Sequence, residues 1–171
     1  VTLLALTPEL DGAVAESDIG TRATTAAFHT VSRTAGFRAV DMGGLPIDTL
    51  VTIMMLMFVG GASASVAGGI TVNSFSVLLV GTLSHIRGRH VPQAFGRTIA
   101  NVTVMRALTV TLLSATAVAL ATIFISIAER GSSHELSNLL FEAISAFAVV
   151  GYSTGITKDL TVVSKIILVL T

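Results

Sequence analysis

The sequence predicts an all-α integral membrane fold, and three observations carry that prediction. Only 12% of the 171 residues are charged and mean hydropathy is +0.85, whereas soluble domains carry about twice that charge fraction. Residues 49–84 and 107–128 hold no ionisable side chain, and a run of about 20 apolar residues is enough to cross a bilayer. Two glycine turns, at Gly36 and Gly151, each follow a short, mildly apolar segment and precede a long apolar one. Both uncharged runs lie well inside the chain and exceed the apolar stretch of a signal peptide, so neither reads as a cleaved leader.

Residues 1–6 are apolar but too short to span, and read as the end of a helix lying upstream. Residues 7–20 carry Pro8, Glu9, Asp11, Glu16 and Asp18 and read as an outer loop. Residues 21–32 lack glycine and proline and make about three helical turns, the length of a half-helix that dips into the membrane without crossing it. Thr34, Ala35, Gly36 and Phe37 form the first turn. The polar stretch 41–48 follows, with Pro46 well placed for the first turn of the next helix, where its missing N–H costs nothing.

Residues 49–84 as a single helix would measure about 54 Å, nearly twice the hydrocarbon thickness. The middle of the run, Gly60-Gly61-Ala62-Ser63-Ala64-Ser65-Val66-Ala67-Gly68-Gly69, holds four glycines and almost no side-chain bulk. The expected element over residues 47–86 is therefore a broken helix: one piece to about Val59, a non-helical stretch, and a second piece from about Thr71 to Ile86. Irregular backbone at membrane depth survives only where protein or a water-filled cavity satisfies its polar groups. The break thus belongs beside a pore.

The basic loop comes next. Arg87, Arg89 and Arg97 with His85 and His90 sit in a stretch, residues 49–128, that contains no acid. Basic residues in a short loop between spans mark the cytoplasmic side, which puts residues 85–97 in the cytoplasm and both glycine turns outside. A nucleic-acid site would show a similar cluster, but the flanking spans make topology the better account, and the expected surroundings are a lipid bilayer with no nucleic acid. Residues 99–128 form the next span, with Arg106 near its cytoplasmic end, where a long side chain snorkels to the interface. Residues 137–148 repeat the short helix and Val149, Val150, Gly151, Tyr152 and Ser153 the turn. A last apolar helix begins at Val162. The chain divides into residues 1–86, a loop of residues 87–98, and residues 99–171. Each long part has the order short helix, glycine turn, spanning helix, and both ends read as those of a fragment.

That order is a re-entrant pore loop, in which backbone carbonyls beside the glycine face a permeating ion. Glycine adopts positive φ without penalty, as successive carbonyls facing one axis require. The loop-glycine alternative applies to each turn taken singly; their paired placement favours a filter made of Thr34, Ala35, Gly36 and Phe37 with Val149, Val150, Gly151 and Tyr152. The C-terminal ends of the short helices would favour a cation there. No carboxylate lies within four residues before either glycine, so cation preference is expected from carbonyls. Arg33 and Arg38 would repel cations if aimed inward, and are expected to face outward or pair with Asp41.

The glycine-rich break admits several readings. The glycine spacing and the absence of a preceding strand exclude a dinucleotide fingerprint, and Ser63 and Ser65 lack the Gly-x-Ser-x-Gly turn of a hydrolase. A flexible gate formed by Gly60, Gly61, Ser63, Ser65, Gly68 and Gly69 fits the position, and a close-packing glycine patch between helices is the alternative. Met54, Met55 and Met57 read as lipid-facing or core filler, and His29 as packed or solvated. With no cysteine, disulfides and thiolate metal sites are excluded. The four histidines and ten carboxylates show no metal-ligand spacing. No cofactor and no enzyme activity are expected.

These residues carry a resemblance. The string Ser32-Arg33-Thr34-Ala35-Gly36-Phe37 resembles the third pore loop of the Trk/Ktr/HKT superfamily of potassium and sodium transport proteins. Residues 60–70 resemble its intramembrane gate loop, and residues 140–155 its fourth pore helix and filter. The resemblance implies the pore-forming membrane subunit of an alkali-cation transporter, in which four helix–pore loop–helix repeats surround one pore. This chain would supply repeats three and four. It further implies K+ bound by carbonyls near Gly36 and Gly151, a homodimer, control by a cytosolic nucleotide-binding ring, and a plasma (inner) membrane location. Family members often carry a basic residue where this chain has Thr71, so no gating contact of that charge carries over. The expected function is potassium translocation through a carbonyl filter gated by the glycine-rich loop. A sodium-selective member of the same family, a secondary transporter of another solute, an intramembrane hydrolase using Ser63 or Ser65, and a scaffold for dimerisation and regulator docking are the competing readings.

Overall fold

A computed structural model describes residues 19–32, 36–37, 42–61, 68–88, 93–94, 97–132 and 135–171. The expectations for residues 1–18, Arg33, Thr34, Ala35, Arg38, Asp41, Ser63, Ser65, Arg89 and His90 lie outside the described residues, as does the side chain of His29. Within them the chain is helical: α1 (Ile19–Ser32), α2 (Ile47–Phe58), α3 (Val72–Ile86), α4 (Asn101–Ala128), α5 (Leu136–Phe147) and α6 (Val162–Leu170). Short 3-10 turns at Met42–Gly44 and Ile156–Lys158 precede α2 and α6. In the basic loop, β1 (Gln93–Ala94) pairs antiparallel with β2 (Arg97–Thr98). Hydrophobic periodicity carries no signal for strands of two residues, so this ribbon was not expected from the sequence.

Helix α4 organises the packing. It lies against α3, α5 and α6, while α2 packs on α5. At 28 residues it is long and apolar enough to cross a membrane, and only 28% of its most apolar window is buried. Leu112, Leu113, Leu120, Ile123 and Phe124 are exposed along it. A helix that is apolar all round and so little covered is suited to lipid rather than water. Four of its threonines resolve their own polarity: the hydroxyls of Thr109, Thr111, Thr116 and Thr122 donate to the carbonyls of Met105, Ala107, Leu112 and Val118, four residues back. Each hydroxyl is thereby satisfied within the helix and needs no water.

One buried cluster joins the two halves of the sequence. Met42, Leu50, Ile53, Met54 and Met57 pack with Val118, Phe141, Ile144, Val150 and Tyr152. Met54 and Met57 are thus core residues, whereas Met55 is exposed. A second cluster, built from Ala121, Ile125, Leu139, Ala143 and Leu160, binds α4, α5 and the start of α6.

Helices α3 and α6 begin in the same way. Thr71 and Thr161 are extended N-caps whose side chains accept the backbone N–H of Ser74 and Ser164 at 3.4 Å, offsetting an orphan donor of the first turn. At α6 a carboxylate joins the cap. Glu129, which follows α4, accepts the Thr161 N–H at 2.7 Å and the Ser164 hydroxyl at 2.8 Å. An anion at a helix N-terminus is favoured by the helix dipole, so Glu129 ties the end of α4 to the start of α6.

The Thr161 N–H, helped by the Ser164 hydroxyl and against the opposing effect of burial, holds the Glu129 carboxyl down at about 2. A carboxyl whose folded pKa is depressed adds stability above its unfolded value and loses it as pH falls through the folded one. Thermal unfolding of the full-length protein in detergent should therefore show a Glu129-dependent loss of stability between about pH 4.5 and about pH 2. Glu129→Gln should flatten that part of the profile and cost about 2 kcal/mol at neutral pH. A wild-type and variant profile of the same shape would sink this account.

Candidate functional site: two glycine turns at one helix end

Helix α5 ends in a hydrogen-bonded C-cap of Schellman type. The Val149 N–H donates to the Ala146 carbonyl and the Val150 N–H to the Ser145 carbonyl, both at 3.0 Å. This motif needs a left-handed residue just past the helix, a place glycine usually takes. Here Val149 takes it, at φ 54°. A β-branched residue in that conformation is a true outlier. The chain then passes through Val150 and through Gly151 at φ 83°. Val149 is exposed while Val150 and Tyr152 are buried, so the loop turns one residue out between residues held in.

The first glycine turn meets this loop directly. Gly36, at φ 71°, donates its N–H to the Ser32 carbonyl at the end of α1. A Cβ at Gly36 would collide with the Val150 carbonyl oxygen and lie 3.9 Å from the Gly151 Cα. Here glycine is required twice over, for its φ and for the closeness of the other backbone. Tyr152 completes the junction: its hydroxyl donates to the Phe37 carbonyl at 2.9 Å and lies 3.1 Å from the Ser32 hydroxyl, which also donates to Phe37. The polar turn after Gly36 joins in, since a Cβ on Gly43 would lie 2.5 Å from the Thr154 carbonyl oxygen.

The glycine-rich break reaches the same place from another side. Its two ends are closed by a parallel bridge between Val59 and Ile70. Gly60 N–H donates to the Ile70 carbonyl, Ile70 N–H to Phe58, and Val72 N–H to Gly61. Gly68 then donates to the Ala148 carbonyl at 3.1 Å, and a Cβ on Gly68 would lie 2.8 Å from both the Phe147 and Ala148 carbonyl oxygens. Glycine at this root serves close packing of backbone on backbone. Ser63 and Ser65 lie outside the described residues, as do Thr34 and Ala35. Of the residues singled out in the sequence, Gly36, Phe37, Gly68, Val149, Val150, Gly151 and Tyr152 are brought together at the C-terminal end of α5. Gly60, Gly61 and Gly69 stand at the closed base of the break.

Two features of the site were missed. Glu142, in the middle of α5, is buried and accepts hydrogen bonds from the Ser153 hydroxyl at 2.6 Å, the Thr154 N–H at 3.0 Å, the Thr154 hydroxyl at 3.3 Å and the Thr157 hydroxyl at 2.9 Å. Ser32 and Tyr152 form the other. A lone carboxylate in an apolar helix was a signal for the first, because a charge there must find partners; nothing local announces the second. Beside the loop is a cavity of about 400 Å³ lined by Glu142, Ser145, Gly151, Ser153 and Thr157 among others. Among the described residues no group of three or more histidines and carboxylates is placed to hold a metal ion.

The fold is that of a helical protein suited to a membrane, with its glycine turns gathered at one helix end. The family model described as TrkH, cation transport protein, matches residues 1–171. The chain is 33% identical over 138 residues to the potassium/sodium uptake protein NtpJ of Enterococcus hirae, covering 80% of this chain and 31% of that protein. It is 35% identical over 137 residues to the Ktr system potassium uptake protein B of Bacillus subtilis, covering 80% of this chain and 30% of the relative. With the Ktr system potassium uptake protein D of the same species, identity is 36% over 141 residues, covering 82% and 31%. The chain thus belongs to the TrkH family of cation transport proteins, a family of membrane transporters rather than enzymes, and spans under a third of the length of these relatives.

The geometry sets two opposite expectations for stability. Gly36→Ala places a methyl group against the Val150 carbonyl at a left-handed φ, and should cost at least about 1–2 kcal/mol. Val149→Gly relieves a left-handed β-branched residue and should add about 0.5–1 kcal/mol after the entropic cost of glycine. Thermal unfolding of the full-length protein in detergent reads both, and shifts of the same sign would contradict the described turn.

Proposed function

We propose that this chain forms two of the pore loops of an alkali-cation translocation path, with potassium as the transported ion. The observation that carries the reading is the direct approach of Gly36 to Val150 and Gly151, which joins two loops far apart in sequence. In this reading Thr34, Ala35, Gly36 and Phe37 and Val149, Val150, Gly151 and Tyr152 line the path, and carbonyls of these two segments replace part of the ion's hydration shell, while the Phe37 carbonyl, held by the Ser32 and Tyr152 hydroxyls, fixes the first turn in place. The C-terminal ends of α1 and α5 lie next to the turns, and the negative end of each helix dipole favours a cation within the last turn. Glycine at both positions, with the resemblance to potassium-transporting relatives, favours potassium. A sodium-selective protein of the same family is the second reading, and the potassium/sodium name of the Enterococcus relative favours keeping it.

The glycine-rich segment acts as the gate in this proposal. Its root is hydrogen-bonded to the end of α5 through Gly68 and Ala148, so movement of the segment that holds Ser63 and Ser65 is transmitted to the base of the proposed filter. No chemical bond is made or broken in this process. The protein works as a homodimer in the plasma (inner) membrane under a cytosolic nucleotide-binding ring. The basic loop 85–97 lies in the cytoplasm and both pore loops face outward.

Rubidium-86 and sodium-22 uptake by the full-length protein in liposomes tests the reading, beside Gly151→Ser. A Cβ at Gly151 meets nothing within 4 Å among the described residues, so the serine fits in space and changes the loop only through its φ and hydroxyl. Rubidium uptake that collapses or loses selectivity in the variant supports a potassium filter at Gly151. Uptake of sodium alone in the parent favours the sodium reading, and saturable uptake of an organic solute indifferent to Gly151 refutes the filter. Gly68→Ala, which crowds the Phe147 and Ala148 carbonyls, should change flux by about tenfold or more, the scale of a lost hydrogen bond plus overpacking. Unaltered flux would remove the gate from the proposal.

A further inference from the structure

We infer that Glu142 is a positioning residue for the fourth-repeat filter, holding the segment that leaves Gly151 and thereby setting ion selectivity. The inference rests on the filter reading above and adds to it a carboxylate that touches no ion. Between Val149 and Thr154 the loop is held at three points. The α5 C-cap holds Val149 and Val150, and the Tyr152 hydroxyl is tied to Phe37. The third point is Glu142, whose carboxylate gathers Ser153, Thr154 and Thr157 from the far end. Gly151, with the most permissive backbone in the loop, lies between these ties.

The chemistry of the tie calls for a carboxylate. One oxygen, Oε1, accepts the Ser153 hydroxyl, the Thr154 N–H and the Thr154 hydroxyl; the other, Oε2, accepts the Thr157 hydroxyl. Both oxygens act as acceptors, which an ionised carboxylate can do and an amide cannot. Glutamine would turn an NH2 donor towards one set of donors and release it. The Ser153 hydroxyl also lies 2.7 Å from the Thr157 hydroxyl and accepts the Gly155 N–H at 3.0 Å; these contacts tie the segment to itself, and Glu142 ties it to α5. The cavity of about 400 Å³ lies alongside it, and the hydroxyl of Ser145, buried on its wall, has no hydrogen-bond partner among the described residues. A freed loop therefore has room to move. Buried hydrogen bonds to a charged group are stronger than neutral ones, so this contact is well suited to keep the Val150 and Gly151 carbonyls from relaxing around a smaller ion.

The test compares rubidium-86 with sodium-22 uptake by the full-length protein in liposomes for the parent, Glu142→Gln, Glu142→Asp and Gly151→Ser, with Glu129→Gln as a matched loss of a buried carboxylate away from the loop. Glu142→Gln should lower the rubidium-to-sodium ratio about tenfold, the scale of one charge-assisted hydrogen bond, while ion flux persists. Glu142→Asp should recover part of the ratio, and Glu129→Gln should lower stability without moving it. If Glu142→Gln fails to assemble, the pair Ser153→Ala and Thr157→Val, which removes donors and leaves the carboxylate, should shift the ratio in the same direction. A ratio unchanged by the Glu142 or donor variants but altered by Gly151→Ser overturns the inference and leaves the filter standing. A ratio indifferent to Gly151→Ser as well overturns both.

Discussion

The constraint on which the rest of this structure depends is the satisfaction of backbone polar groups where no water is at hand. An apolar helix can cross a bilayer because its N–H and C=O groups pair internally; a turn or a break cannot do so alone. The chain solves this at the C-terminal end of α5. The Ser145, Ala146 and Ala148 carbonyls accept N–H groups from Val150, Val149 and Gly68. The glycine turn at residue 36 closes against the same loop, and the Val59–Ile70 bridge seals the base of the glycine-rich stretch. Three irregular segments thus satisfy one another, and each becomes tolerable because the others are present.

That arrangement explains why glycine recurs there for two unlike reasons. At Gly36 both φ and the Val150 carbonyl require it, whereas at Gly68 the demand is for backbone contact with Phe147 and Ala148. Val149 breaks the pattern by occupying a left-handed cap position without being glycine. Strain of this kind costs about 1–2 kcal/mol and persists where the surroundings over-determine it. The two hydrogen bonds of the α5 cap and the burial of Val150 and Tyr152 supply that determination.

The two buried carboxylates follow the same logic in electrostatic form. A charge removed from water is tolerable when hydrogen bonds surround it. Glu129 and Glu142 each gather backbone and hydroxyl donors from a segment that follows in the chain. Each ties a helix to the loop or helix beyond it, in a molecule whose described residues include many exposed large apolar side chains.

By itself the sequence determined the helical membrane class, through the uncharged runs at residues 49–84 and 107–128, and drew attention to Gly36, Gly151 and the glycine-rich break. These are local properties: a stretch without charge must avoid water, and a glycine-rich stretch resists continuous helix. Which groups meet was decided by the tertiary structure alone. Nothing in the local pattern pairs Tyr152 with Ser32 and Phe37, or seats Gly68 on Ala148, because those contacts join residues far apart in the sequence. Glu142 stood between the two. Its charge in an apolar helix was visible, but its partners Ser153, Thr154 and Thr157 come within reach only after the chain reverses at Gly151. The reversal, set by backbone sterics and by the α5 end on which it closes, is what converts that isolated charge into a clamp.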